Sequence, residues 1–359
     1  MKIDYEETFS FINLMVCAFA AKRNVNWKAS VQRFGFSMMQ NVYAQHSKLM
    51  AGNYKSRGIC SFSRTERGKP REIGSNHIMD RFVLKCLTRF ALTPALRPRL
   101  MYDNGATQKN KGCDFAIRRV KAHLERFAAA GNDVSRAYVV VMDFHSYFEN
   151  VDRDLLVEKM GRYIEDERTL TLTDYMVKCS GKRGLVLGSE VSQIGAVFYR
   201  NDVDQFVKRR LRQKYYGAYM DDSYCICKTK EEATMVLRET IEKCKEAKIE
   251  INEKKTRICR LIDGFPYLKR RFLISKRGKA VSIPQKDSEK RMMAKLKKFA
   301  KWVAQGRMLP SEMEAGFNSW VSHFKHDDAR TLTEKMKGKF DSLLSRYAIN
   351  YVPIWRNAL

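Results

Sequence analysis

The sequence predicts an α+β fold, an antiparallel sheet built around one central hairpin with helices on one face. Residues 137–142 (AYVVVM) form an unbroken apolar run rich in valine, the pattern of a buried strand. Residues 215–220 and 223–228 are two further strand-like runs on either side of Asp221-Asp222, so two adjacent carboxylates sit at the tip of a hairpin. Segments of helical periodicity separate these strands.

In chain order, residues 1–50 read as helical, with Phe11, Leu14, Met15, Ala18 and Phe19 on one face. Gly52-Asn53-Tyr54 marks a break. Residues 59–63 and 71–73 read as short strands flanking a basic turn, 64–71. Residues 80–92 return to helical spacing through Phe82, Val83, Cys86, Leu87 and Phe90, and Pro94 and Pro98 end the helix. Residues 105–111 are a basic, glycine-containing loop and 113–130 another helix. A helix over 190–212 shares Val191, Ile194, Val197, Phe198 and Leu211 on its apolar side. An amphipathic helix over 231–247 precedes two more strands, 249–251 and 256–262. Residues 286–305 form a strongly basic helix whose Met292, Leu296, Phe299 and Val303 pack, leaving Lys290, Arg291, Lys295 and Lys298 among the cations of the other side. A solvated helix face would look similar, but the charge of the whole chain favours contact with a nucleic-acid backbone.

The chain of 359 residues is long enough for two or three subdomains, and 44% hydrophobic content can bury more than one core. Lys and Arg number 68 against 40 Asp and Glu, a net charge of +28. That excess is foreign to a typical small-molecule enzyme and points to a polyanionic partner. Nine cysteines, an odd number with no CxxC pair, argue against zinc and for free thiols in a reducing, cytoplasmic compartment. In Cys225-x-Cys227 strand alternation turns both thiols to one face, as core packing would. The apolar stretch 9–21 is interrupted by Asn13, so neither a signal peptide nor a membrane span is expected. No low-complexity tract or internal repeat is present.

Asp143 ends the apolar run 137–142, and with Asp221 and Asp222 it supplies three oxygen donors. Mg2+ takes oxygen ligands and leaves room for substrate phosphates. A two-metal site activates a hydroxyl with one ion and stabilises the leaving pyrophosphate with the other. These residues lie far apart in sequence, so only adjacent strands of a folded sheet can unite them. An Asp-Asp turn in an ordinary hairpin is the plainer reading of 219–222 alone. The order of the surrounding elements speaks against it and for nucleotide polymerisation.

The chain resembles a reverse transcriptase of the bacterial retroelement type. Asp143-Phe144-His145-Ser146-Tyr147-Phe148 is similar to the family's first palm motif, residues 184–193 (GLVLGSEVSQ) to its second, and Tyr219-Met220-Asp221-Asp222 to its third. Asn252-Glu253-Lys254-Lys255-Thr256 and Gly264-Phe265-Pro266-Tyr267-Leu268 are similar to the fourth and fifth. Lys69-Pro70-Arg71-Glu72-Ile73 with Asp80-Arg81 resembles the fingers motifs. Two stretches depart from the pattern: Leu268 is followed by Lys269-Arg270 rather than Gly-Tyr, and 101–105 reads Met-Tyr-Asp-Asn-Gly.

The resemblance implies a right-hand polymerase fold: an N-terminal helical extension (1–50), fingers (51–135), a palm with the catalytic hairpin (136–275) and a basic helical thumb (276–359). It implies that Asp143, Asp221, Asp222 and the Phe144 backbone carbonyl hold two Mg2+ ions, for which Mn2+ can substitute. Phe148 would be the steric gate that selects dNTPs, with a core aromatic as the alternative. Arg71, and more weakly Arg64, would hold the incoming triphosphate, since a guanidinium grips phosphate with two donors. Lys255 or Lys254 would protonate the departing pyrophosphate. The partners implied are an RNA template, an RNA–DNA hybrid and dNTPs, with no membrane. The segment Leu187-Gly188-Ser189-Glu190-Val191-Ser192-Gln193 most resembles the enzymes of diversity-generating retroelements, bacterial or phage-encoded, where an aliphatic residue precedes the glycine and a glutamine follows the serine. That group copies adenines inaccurately, places Leu187, Gly188 and Gln193 near the substrate, and adds a small basic accessory protein that binds the RNA. A reverse transcriptase of an anti-phage or abortive-infection system and a non-catalytic RNA-binding protein are the alternatives. An RNA-templated RNA polymerase is disfavoured by Phe148, because a bulky gate blocks ribonucleotides.

Overall fold

The computed structural model describes residues 3–66, 68–179, 183–275 and 277–347. Arg67 of the expected basic turn, the side chain of Lys69, and residues 276 and 348–359 of the expected thumb lie outside the described part.

Helices α1 (Tyr5–Thr8), α2 (Phe11–Lys22), α3 (Ala29–Phe36) and α4 (Met38–Met50) lead into the hairpin β1 (Ile59–Glu66) and β2 (Lys69–Asn76). Helices α5 (Ile78–Cys86), α6 (Thr93–Leu96) and α7 (Cys113–Ala129) precede β3 (Tyr138–Asp143). Then come α8 (Tyr147–Asn150), α9 (Arg153–Gly161), α10 (Glu167–Lys178), α11 (Glu190–Tyr199) and α12 (Asn201–Gln205), followed by β4 (Tyr216–Tyr219) and β5 (Asp222–Cys227). Helix α13 (Lys230–Glu246), strands β6 (Arg257–Arg260), β7 (Phe265–Tyr267), β8 (Arg270–Ile274) and β9 (Ala280–Pro284), and helices α14 (Lys286–Ala304), α15 (Pro310–Ser322) and α16 (Arg330–Tyr347) complete the mixed helix-and-sheet chain. Among the described residues there are three sheets, with strand orders β1-β2, β4-β5-β3-β6 and β7-β8-β9.

Two compact units form. The first takes the residues up to Ala116 with Met142–Ser223 and Thr234–Arg257; the second takes Ile117–Val141, Tyr224–Ala233 and the residues from Ile258 on. In the first, one core runs from Phe9, Leu14 and Cys17 through Phe82, Leu87 and Leu92 to Tyr147, Leu156, Val191, Tyr199 and Ile249. In the second, α14, α15 and α16 close around Met292, Leu296, Ala300, Phe317, Met336 and Phe340. At ~25 cal/mol per Å2 of apolar area, each fully buried Leu, Val, Ile, Phe or Met among these contributes roughly 1.5–3 kcal/mol.

Several elements differ from expectation for local reasons. In α2 the buried stripe is Leu14, Cys17, Ala18 and Ala21, one residue-row away from the expected one, so Phe19 faces outward with Ile12 and Val16. The helix after Ile78 does not stop at Pro94. It widens into a π turn over Leu87–Leu92 and runs on into α6, with Pro94 in that helix's first turn. The single helix expected over 190–212 is three segments: it breaks after Tyr199 and ends as a π turn, Phe206–Arg210. Residues 249–251 form no strand. Lys248 is left-handed (φ 54°) and Ile249 N–H donates to Cys244 O at 2.8 Å, capping α13, and only Ile251 makes an isolated bridge, to Phe144. In α14 the small Ala300 joins Met292 and Leu296 in the core, while Phe299 and Val303 are only partly covered. Cys225 and Cys227 are buried with their sulfurs 3.9 Å apart, and the nine cysteines form no disulfide among the described residues. No helix of the described residues is long and apolar enough to cross a membrane.

Candidate active site

Asp143 is the last residue of β3 and Asp222 the first of β5, and these two strands are neighbours in the four-stranded sheet. Met220 and Asp221 form the two-residue turn between β4 and β5. Met220 is left-handed, with φ 53°, a conformation that costs an L residue roughly 1–2 kcal/mol. That turn removes Met220 from the first expected strand and pulls Asp222 into the second.

Asp143 is 5% exposed and well held. Its carboxylate accepts from Asn252 Nδ2 at 3.0 Å, and Lys255 Nζ lies 2.8 Å from each of its oxygens. Asn252 N–H donates to Asp143 O at 2.8 Å and Asp143 N–H to Thr256 Oγ1 at 3.3 Å. The segment 252–256 is thus a cradle for one aspartate, and of Lys254 and Lys255 it is Lys255 that reaches Asp143. Phe144 faces Ile251 in an antiparallel bridge flanked by His145 N–H to Glu250 O and Asn252 N–H to Asp143 O. In such a pair the intervening residue's own C=O points away from the partner segment.

The carboxylates feel one another. Burial pushes the Asp221 carboxyl up, and the charge of Asp143 adds to this. Asp222 is pushed up to about 7, first by burial and then by Asp221 and Asp143, with Lys255 opposing. Burial works against the Lys255 ammonium, but its hydrogen bonding to Asp143 and the three carboxylate charges raise its pKa overall. Among the described residues no group of three His, Cys, Asp or Glu side chains is disposed to hold a metal ion, for Asp143 here turns its oxygens to Lys255 and Asn252. The donor chemistry nonetheless fits a divalent cation. All the donors are oxygens, and mutual repulsion of half-buried carboxylates is what a hard dication relieves.

Phe148 is half-buried, edge-on to Tyr147 at 6.1 Å between ring centroids, and packed against the first unit's core. Its carbonyl accepts from Leu185 N–H at 2.6 Å. Leu187 O accepts from Gly74 N–H at 2.8 Å. Gly188 has φ 115°, and a Cβ there would fall 2.3 Å from Gly74 O. A Cβ on Gly74 would in turn fall 2.2 Å from Val186 Cγ1. Residues 184–188 are therefore clamped between Phe148 and the β1–β2 hairpin, an approach only glycines permit. Leu187 is half-buried, while Gly188 and Gln193 are exposed. Within the hairpin Arg64 stands directly opposite Arg71, and Arg71 Nε lies 3.2 Å from Glu66.

Residues 66–308 match the family described as Reverse transcriptase (RNA-dependent DNA polymerase), well over half of the chain. The chain belongs to this family. It is an RNA-directed DNA polymerase, a nucleotidyltransferase whose substrates are an RNA template and dNTPs. No curated protein matches it. The matched segment of this reverse transcriptase takes in all three aspartates, Phe148, Leu187, Lys255 and α14, and begins after α4.

In the second unit of the reverse transcriptase, Lys290, Arg291, Lys295 and Lys298 are all exposed on α14. Lys295 lies over Phe299 at 5.0 Å and Lys298 over Trp302 at 4.7 Å; Arg291 is 3.9 Å from Asp287. Sequence reasoning missed two groups. Asn252 carried no expected role. Arg200, Asp204, Tyr216 and Asn104 form a buried polar cluster beside the 220–222 turn, whose only sequence signal is an Arg and an Asp four apart in an apolar helical stretch. The two departures from the family pattern also have structural content. The segment 101–105 adds to β4, through Gly105 N–H to Ala218 O and Ala218 N–H to Asp103 O. Leu268 and Lys269 form the left-handed turn between β7 and β8, and Arg270 after them is held by Asp327 at 2.7 Å.

Proposed function

We propose that this reverse transcriptase makes cDNA at a site formed by Asp143, Asp221, Asp222 and the Phe144 carbonyl. The proposed division is a helical extension (1–50), fingers (51–135), palm (136–275) and thumb (276–359). Bound to those oxygens, two Mg2+ ions, or Mn2+ in their place, would supply Lewis acidity for the attacking 3′-hydroxyl and the leaving pyrophosphate. Phe148 excludes a ribose 2′-hydroxyl. Arg64 and Arg71 take the triphosphate; two like charges directly opposite in a hairpin are destabilising until an anion is shared between them. Lys255 balances Asp143, and its raised pKa keeps the proton it would give to pyrophosphate. Lys290, Arg291, Lys295 and Lys298 hold the phosphates of an A-form hybrid without sequence readout.

We further propose that the enzyme belongs to a diversity-generating retroelement, copies template adenines inaccurately, and works with a small basic accessory protein that binds the RNA. Leu187 carries this reading. Its backbone anchors the hairpin at Gly74 while its side chain is aliphatic and half-buried. A glutamine there could hydrogen-bond the nascent pair and sugar. Leucine cannot, so a misaligned pair loses less relative to a correct one. Leu187→Gln is expected to lower misincorporation opposite template adenines in a sequencing assay of cDNA products; an unchanged error spectrum removes Leu187 from the account. A neighbouring repeat whose near-copy differs only at adenines is the expected genomic context. Loss of phage resistance on deletion of the gene, with no such repeat, would place it in defence instead.

A further inference from the structure

We infer that Arg200 is a positioning residue for polymerisation: its guanidinium fixes the 220–222 turn against Phe144 and so sets the spacing of the three aspartates. This rests on the assignment of those aspartates to the reaction.

Arg200 is fully buried, as is Asp204 one helical turn later. Nε and Nη2 reach Asp204 Oδ1 at 3.1 and 2.9 Å, and Nη2 donates to the Tyr216 hydroxyl at 3.1 Å. Tyr216 donates to the same carboxylate oxygen at 2.7 Å, and Asn104 Nδ2 donates to Oδ2 at 3.0 Å. The carboxylate is satisfied and the guanidinium plane fixed. The remaining nitrogen, Nη1, donates to the carbonyl of Met220 and lies 3.5 Å from that of Asp222. Those two carbonyls bracket Asp221, in a turn whose first residue is left-handed and strained. The guanidinium also stacks on the Phe144 ring at 4.6 Å. One side chain therefore touches the residue after Asp143 and the backbone on both sides of Asp221.

A role in stability alone explains this poorly. A buried ion pair seldom stabilises more than apolar residues of the same volume. What a planar, five-donor group offers is orientation, which a lysine point charge cannot reproduce. Segment 101–105 belongs to the same device: it holds β4 at Ala218 by two backbone bonds and supplies Asn104 to Asp204.

The test compares Arg200→Lys with Arg200→Gln/Asp204→Asn, the paired variant removing both charges in case the first does not fold. Each is measured for kcat and KM for dNTP, RNA–DNA hybrid binding, thermal midpoint and Mn2+ affinity by paramagnetic resonance. A displacement of the turn by about an ångström is expected to lower kcat on the order of 10²-fold. Mn2+ affinity is expected to fall, with hybrid binding and KM unchanged. A lower thermal midpoint with kcat and Mn2+ affinity intact would overturn the inference and leave Arg200 a structural residue. Asp221→Asn separates the two claims. If it leaves polymerisation intact, the aspartate assignment fails; if it abolishes polymerisation while both Arg200 variants keep wild-type kcat, only the Arg200 inference fails.

Discussion

Around Arg200 a single buried guanidinium meets Asp204, Tyr216 and the carbonyls of the 220–222 turn; along α14 the cations Lys290, Arg291, Lys295 and Lys298 are exposed, and what they touch is a ring face or a carboxylate at 3.9 Å. The first arrangement fixes one geometry, because a desolvated charge tolerates no loss of partners. The second fixes none. Exposed lysines keep their rotamers and are screened by salt, which suits a partner gripped by its phosphates at many registers. The net charge of +28 advertises the second kind of site and says nothing of the first.

That contrast can be broken by experiment. The largest effect is expected on the buried side. Asp221→Asn removes a ligand proposed to serve charge stabilisation worth several kcal/mol, so nucleotide incorporation should fall on the order of 10³-fold or more, with hybrid binding retained. Polymerisation at the wild-type rate would dissolve the distinction. Next is the exposed side. Replacing Lys290, Arg291, Lys295 and Lys298 together by Gln should flatten the dependence of log Kd on log salt by roughly 0.7–0.9 per lost phosphate contact, leaving the thermal midpoint near wild type. An unchanged slope would return α14 to an ordinary solvated face.

Between these extremes sits Asp152, which caps α9 by accepting from Leu155 N–H at 2.9 Å and pairs with Lys248 at 2.6 Å. Asp152→Ala should cost about 0.5–2 kcal/mol in chemical denaturation. The capping bond, first, and then Lys248 hold its carboxyl below the usual range. A folded-state pKa below the unfolded one means the stabilisation is full above the unfolded value and is lost as pH falls through the folded one. The gap between wild type and Asp152→Ala should therefore close in acid. The smallest effect belongs to Arg330 and Glu334, an exposed pair 2.9 Å apart on α16: Glu334→Gln should leave the denaturation midpoint indistinguishable from wild type.

Much of the candidate site was legible because strand pattern and residue chemistry coincide there. An apolar run ending in Asp143, and two carboxylates between two strand-like runs, allow few arrangements. The elements that were misjudged share a cause. Periodicity reports which residues are apolar, not where a helix must bend to satisfy a buried polar group. The helix expected over 190–212 breaks after Tyr199, where Arg200 turns its guanidinium to the 220–222 turn. The stripe in α2 shifted because Phe19, Cys17 and Ala21 are all apolar in sequence, and only packing chose which of them to bury. Lys254 and Lys255 are indistinguishable as letters; the cradle around Asp143 separates them.

By itself the sequence determined the chemistry: which oxygens are available, that the partner is polyanionic, and that an aromatic and not a small residue stands at position 148. Those depend on residue type and short-range spacing, which the chain carries locally. Tertiary structure decided the rest. It placed Asp143 and Asp222 on neighbouring strands, locked Gly74 against Gly188, and gave Arg200 its place behind the turn. Each of these joins residues distant in the chain, and each depends on close approach or desolvation, which exist only once the core has formed.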